Sequence, residues 1–128
     1  MPNLNASLSC IVTGDNITLN FIIGNIPPGD PCAKAWFTVK ADPNDPDTSA
    51  VFQKTIDSTA TPAGIITDDG ATTGEAVLIF QVLPAESNRL APDTSLNYDV
   101  QIKTAAGMVY TAEIGSLYAV KGITDNVL

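Results

Sequence analysis

The sequence predicts an all-β protein, an antiparallel β-sandwich of about seven to nine strands with at most one short helical turn. Three observations predict it. Apolar and polar residues alternate with period two in one segment after another, which sets one face of each strand against a core and the other against water. Clusters of Gly, Pro, Asp and Asn separate these segments and supply the turns. Only residues 85–90 read as helix, and six residues need tertiary support to hold one.

Residues 6–13 form the first strand, with Leu8, Cys10 and Val12 on one parity, and the turn Gly14-Asp15-Asn16 follows. In 17–23, Ile17, Leu19, Phe21 and Ile23 alternate with polar residues until Ile22 makes both faces apolar, as in a central strand. Pro27, Pro28 and Pro31 then remove backbone donors and enforce a loop. Residues 33–41 carry Ala35, Phe37 and Val39 on one face and Trp36, Thr38 and Lys40 on the other. After the acidic loop 42–48, residues 49–56 resume β structure, with Phe52, Lys54 and Ile56 on one side. A polar connection, 57–62, leads to a short strand at 64–67 and a turn at Asp68-Asp69-Gly70. Residues 75–82 are strongly apolar and end at Pro84.

The clearest hairpin spans 96–120 and is expected at the centre of a sheet. Tyr98, Val100 and Ile102 alternate with Asn97, Asp99, Gln101 and Lys103; a short loop ends in Gly107; Met108, Tyr110, Ala112 and Ile114 return. Gly122 and Thr124-Asp125-Asn126 suggest a last turn or exposed tail. The expected core is Leu8, Leu19, Phe21, Phe37, Phe80, Tyr98, Val100, Ile102, Tyr110 and Ile114. A chain of 128 residues with 45% apolar and 16% charged residues holds one domain, 1–128, and buries a core without staples.

Charge narrows the partners. Net charge is −8, and the six basic residues are spread singly, so neither nucleic acid nor an anionic membrane is expected to bind. The opening Met-Pro-Asn-Leu-Asn-Ala-Ser lacks the basic start and apolar run of a secretory signal, which reads as synthesis in the cytosol. With two cysteines a disulfide framework is not expected; Cys10, in an apolar alternation, reads as a buried small hydrophobe, and a bridge to Cys32 stays open.

Histidine is absent, which removes the commonest general base and the commonest metal ligand. No nucleophile elbow, phosphate loop or dinucleotide fingerprint occurs, so neither an enzyme nor a cofactor is expected. Asp42, Asp45 and Asp47 offer oxygen ligands for Ca²⁺, but their spacing departs from the EF-hand loop, and Asp-Pro and Asn-Asp are ordinary turn formers. Trp36 and Tyr118 are the aromatic residues left for a sugar-binding platform, with Asn97, Asp99 or Gln101 as polar neighbours; aromatics are equally at home in sheets for packing alone. Few strand lysines guard the sheet edges, which favours association with copies or partners.

The order of phrases carries a further expectation. Gly14-Asp15-Asn16-Ile17-Thr18-Leu19 precedes Ala35-Trp36-Phe37-Thr38-Val39-Lys40, then Asp45-Pro46-Asp47-Thr48-Ser49-Ala50-Val51-Phe52-Gln53-Lys54, then Gly74-Glu75-Ala76-Val77-Leu78-Ile79-Phe80. Leu96-Asn97-Tyr98-Asp99-Val100-Gln101-Ile102-Lys103 and Gly107-Met108-Val109-Tyr110-Thr111-Ala112-Glu113-Ile114-Gly115 close the series. Over about residues 8 to 121 this resembles the immunoglobulin-like β-sandwich proteins of tailed bacteriophages, similar to the N-terminal domain of the phage baseplate upper protein. The resemblance implies an immunoglobulin-like sandwich and a non-enzymatic virion protein, a tail or baseplate component or a head-decorating or joining module, assembled in the host cytoplasm. Its implied partners are other virion proteins and copies of itself in a symmetric homo-oligomer. Baseplate upper proteins continue into a further domain, whereas this sequence stops at Leu128, so a smaller fitting, decorating or joining protein is expected. The alternative is a carbohydrate-binding sandwich that attaches to host-surface glycans, and Trp36 separates the two: covered for assembly, an exposed flat ring for sugar.

Overall fold

Alternating segments rich in β-branched and aromatic residues become eight strands. They are β1 (Cys10–Thr13), β2 (Ile17–Ile23), β3 (Cys32–Lys40), β4 (Phe52–Ile56), β5 (Gly64–Asp69), β6 (Ala76–Val82), β7 (Thr94–Thr104) and β8 (Val109–Lys121). The computed structural model describes residues 10–121. One helical turn, α1 (Pro84–Ser87), and a 3₁₀ turn at Asp47–Ser49 complete the elements of this region.

The strands form a five-stranded sheet, β1-β8-β7-β3-β4, and a three-stranded sheet, β2-β6-β5. Every pairing is antiparallel except that of β1 with β8. This is the arrangement of an immunoglobulin-like sandwich, with β7 in the middle of the larger sheet. The expected central hairpin is therefore β7–β8, its loop closed by Gly107 at φ 94°.

Inward side chains of both sheets form one apolar cluster. Its hub is Phe37 on β3, whose ring centroid lies 5.9 Å from Phe21, 5.7 Å from Phe80, 5.9 Å from Phe52 and 5.8 Å from Tyr98. Aromatic contacts at such distances add to the area that they bury, so Phe37 ties β2 and β6 of one sheet to β4 and β7 of the other. One end is closed by α1, which Pro84 starts and Glu86 caps by accepting the Leu83 N–H at 2.9 Å. The same carboxylate receives the buried Lys54 ammonium at 2.6 Å, and Ser87 Oγ donates to the Asp15 carbonyl at 2.7 Å.

Several expectations are corrected. Cys10 is exposed, because β1 pairs in register Cys10↔Tyr118 and turns Ile11 inward instead. Cys32 is the buried cysteine, its thiol pushed up to about 11 by burial, and the two are not bridged. β5 runs on through Asp69, so the turn begins at Gly70. Tyr110 and Ile114 are exposed at 42% and 73%, whereas Leu117 and Ala119 are buried. For Ile114 the cause is a bulge: Val100 pairs with Glu113 but Gln101 pairs with Thr111, so Ala112 is the extra residue and the parity of β8 inverts beyond it. Tyr110 keeps the core parity opposite Ile102 but lines an open cleft with Ile23 and Pro27 near the hairpin end, which leaves its ring partly in solvent. Leu8, Gly122 and residues 124–126 lie outside the described residues.

Gly64 opens β5 at φ +132°, where a Cβ would fall 1.9 Å from the Ile79 carbonyl oxygen. No side chain can relieve a clash with backbone. Gly64→Ala is expected to cost at least as much as a core truncation such as Phe21→Ala, about 3–5 kcal/mol, read as a loss of urea midpoint.

Candidate functional site

The outer face of the five-stranded sheet carries the candidate site. Because strand side chains alternate, β7 presents Asn97, Asp99, Gln101 and Lys103 outward while Tyr98, Val100 and Ile102 face the core. Register then sets the neighbours in rows. Ile114, Asp99 and Thr38 form one row across β8, β7 and β3; Thr111, Gln101 and Trp36 form the next; Val109, Lys103 and Lys34 form the third.

Asp99 lies in a cleft of about 340 Å³ whose walls include Thr38, Lys40, Pro43, Asn97, Ile114 and Ser116. Its carboxyl is held above the ordinary carboxylate range, chiefly by burial; Lys40 acts in the opposite sense and Asp47 adds to the rise. Lys40 is bonded instead at 2.8 Å to Asp47, whose carboxyl that ammonium holds below the ordinary range. The Asp99 carboxylate makes no side-chain hydrogen bond or ion pair among the described residues. The mouth of the cleft is apolar on one side, where Ile114 stands 73% exposed.

Beneath it lies a buried polar pair. The Tyr98 ring crosses Gly115, where an added Cβ would approach its Cε1 and hydroxyl to 3.0 Å. This lets the hydroxyl donate to Glu113 Oε2 at 2.7 Å. Glu113 is only 3% exposed, and its Oε1 has no partner among the described residues. Burial and the Glu113 carboxylate both push the Tyr98 hydroxyl far above its usual value of 10.0.

Trp36 and Tyr118 are not brought together. Trp36 pairs with Gln101 and Tyr118 with Ser95, six positions apart on β7, roughly 20 Å at ~3.4 Å per residue. Trp36 is half-buried and has the Lys34 ammonium 5.7 Å from its ring centroid, while Tyr118 is 41% exposed. Asp42, Asp45 and Asp47 serve the loop itself. Asp42 accepts the Asn44 N–H at 2.9 Å, its carbonyl accepts the Asp45 N–H at 3.0 Å, and Asp47 holds Lys40. Among the described residues no group of three or more acidic or cysteine side chains is placed to hold a metal ion.

Sequence reasoning noted Asp99 only as a neighbour for a sugar site and missed the cleft, because it placed Ile114 in the core. A signal was present: Tyr110 and Ala112 share one parity, Leu117 and Ala119 the other, with Glu113 and Gly115 between them.

Two linked titrations follow. Asp99, raised in the folded state, contributes most below its ordinary 3.8 and loses that contribution as pH rises through its folded value. Asp99→Asn is therefore expected to melt higher than the wild type at pH 7, with the gain gone below about pH 3.8. Tyr98 contributes stability in full below 10.0 and loses it as pH rises through the still higher folded value. Tyr98→Phe, which leaves buried Glu113 without its donor, should cost about 1–3 kcal/mol at pH 7. In urea titrations that deficit should narrow above pH 10, where only the wild type loses the phenol's contribution.

Compared with known proteins, the chain matches no family model, no curated protein and no solved structure.

Proposed function

We propose that this domain is a non-enzymatic structural module of a tailed-phage virion that works by docking the outer face of its five-stranded sheet onto neighbouring subunits. The observation that carries the reading is apolar exposure on that face: Ile114 at 73%, Val109 at 56% and Tyr118 at 41%, on a single strand. A β-branched residue exposed to this degree in mid-strand gains nothing from the fold, and exposed apolar side chains spaced by the polar Thr111 and Ser116 suit a protein interface. The sequence resemblance supports the virion setting. The half-buried Trp36, with the Lys34 ammonium over its ring, and its distance from Tyr118 favour protein docking over stacking on a sugar ring.

The test is the composition of particles purified after expression from the chain's own genome. Peptide mass spectrometry is expected to find the chain in fixed proportion to the major structural proteins. Ile114→Asp, at a site too exposed to disturb the core, should lower its copy number severalfold. A chain recovered only outside the particles overturns the reading, and binding to immobilised glycans through this face would replace it with the carbohydrate-binding one.

A further inference from the structure

The outer face contains two features that the fold does not explain. Lys103 and Lys34 are directly opposite each other on β7 and β3, and both are exposed. Like charges at such positions destabilise a sheet. Four residues along the same face of β7, the Asp99 carboxylate is left without a side-chain hydrogen bond or ion pair among the described residues, as the Lys103 ammonium is. Unmatched charges of opposite sign on one strand, separated by a neutral row, form a pattern complementary to its own reverse.

From this pattern we infer that the outer face pairs with the same face of a second copy, about a two-fold axis that lies in the interface across the strands at the level of Gln101. The proposal rests on the reading of this face as a docking surface and names its occupant. Such an axis exchanges the first and third rows. Asp99 then meets Lys103 of the second copy, Ile114 meets its Val109, Thr38 meets its Lys34, and the Trp36 rows meet each other. Both symmetry-related contacts form at once, as an isologous interface requires. The cleft over Asp99 gives the incoming lysine an apolar wall at Ile114 for its stem and a carboxylate for its head. An axis along β7 is disfavoured, because it sets Asp99 against Asp99 and Lys103 against Lys103.

Size bounds the strength. Five strands at ~4.8 Å spacing and about six residues at ~3.4 Å cover roughly 500 Å² per copy, below the ~800 Å² of a standard interface. The pairing is therefore weak and concentration-dependent.

Sedimentation equilibrium over a wide concentration range tests it on the wild type, Asp99→Lys, Lys103→Asp and the double exchange, with a thermal melt of each to verify folding. The wild type is expected to dimerise, each single reversal to weaken the dimer by about tenfold or more, and the double exchange to recover most of that loss. Asp99→Asn, which keeps size and removes only charge, should weaken it to a lesser degree. A wild type that is monomeric throughout, singles that dimerise normally, or a double exchange no better than the singles overturns the pairing. These failures leave the virion reading standing if the chain still purifies with particles, so the two proposals fail separately.

Discussion

The bulge at Ala112 is the constraint on which the outer face of the larger sheet depends. β8 must bury Ala112 in its first half and Leu117 and Ala119 in its second, residues of opposite parity that a regular strand sends to opposite faces. One extra residue opposite β7 reconciles them. The same step turns Ile114 to solvent, brings Glu113 inward against Tyr98, and places Gly115 where a tyrosine ring needs room. Core packing and exposed face are thus consequences of one local irregularity.

Rigidity beneath that face comes from the layer below it. Tyr98 belongs to the aromatic cluster around Phe37 and also reaches Glu113, so the strand that presents Asp99 is pinned from behind by packing and by a hydrogen bond. A carboxylate that gains no partner and is partly desolvated costs stability at neutral pH, and its persistence at such a position is reasonable where it meets a cation from outside. The buried Oε1 of Glu113 is a second polar cost in the same region.

Charge on the outer face is patterned along β7 and not uniform. A net charge of −8 keeps copies apart at long range, while the arrangement of Asp99, Lys103 and Lys34 distinguishes one relative orientation from others at contact.

Period-two alternation determined the all-β class, and with it the strands, the β7–β8 hairpin and most of the core, including Phe21, Phe37, Phe80, Val100 and Ile102. Those assignments depend on local geometry alone, because a strand's side chains alternate whatever it pairs with. Only the tertiary structure decided what depends on partners: that β1 pairs with β8 in a register that exposes Cys10, that Trp36 and Tyr118 are far apart, and that Ile114 faces outward. A bulge is a property of two strands in register, and a cleft is a property of three. Neither exists in a strand taken alone, so Asp99 and Ile114 read as a polar neighbour and a core residue until β3, β7 and β8 were laid side by side.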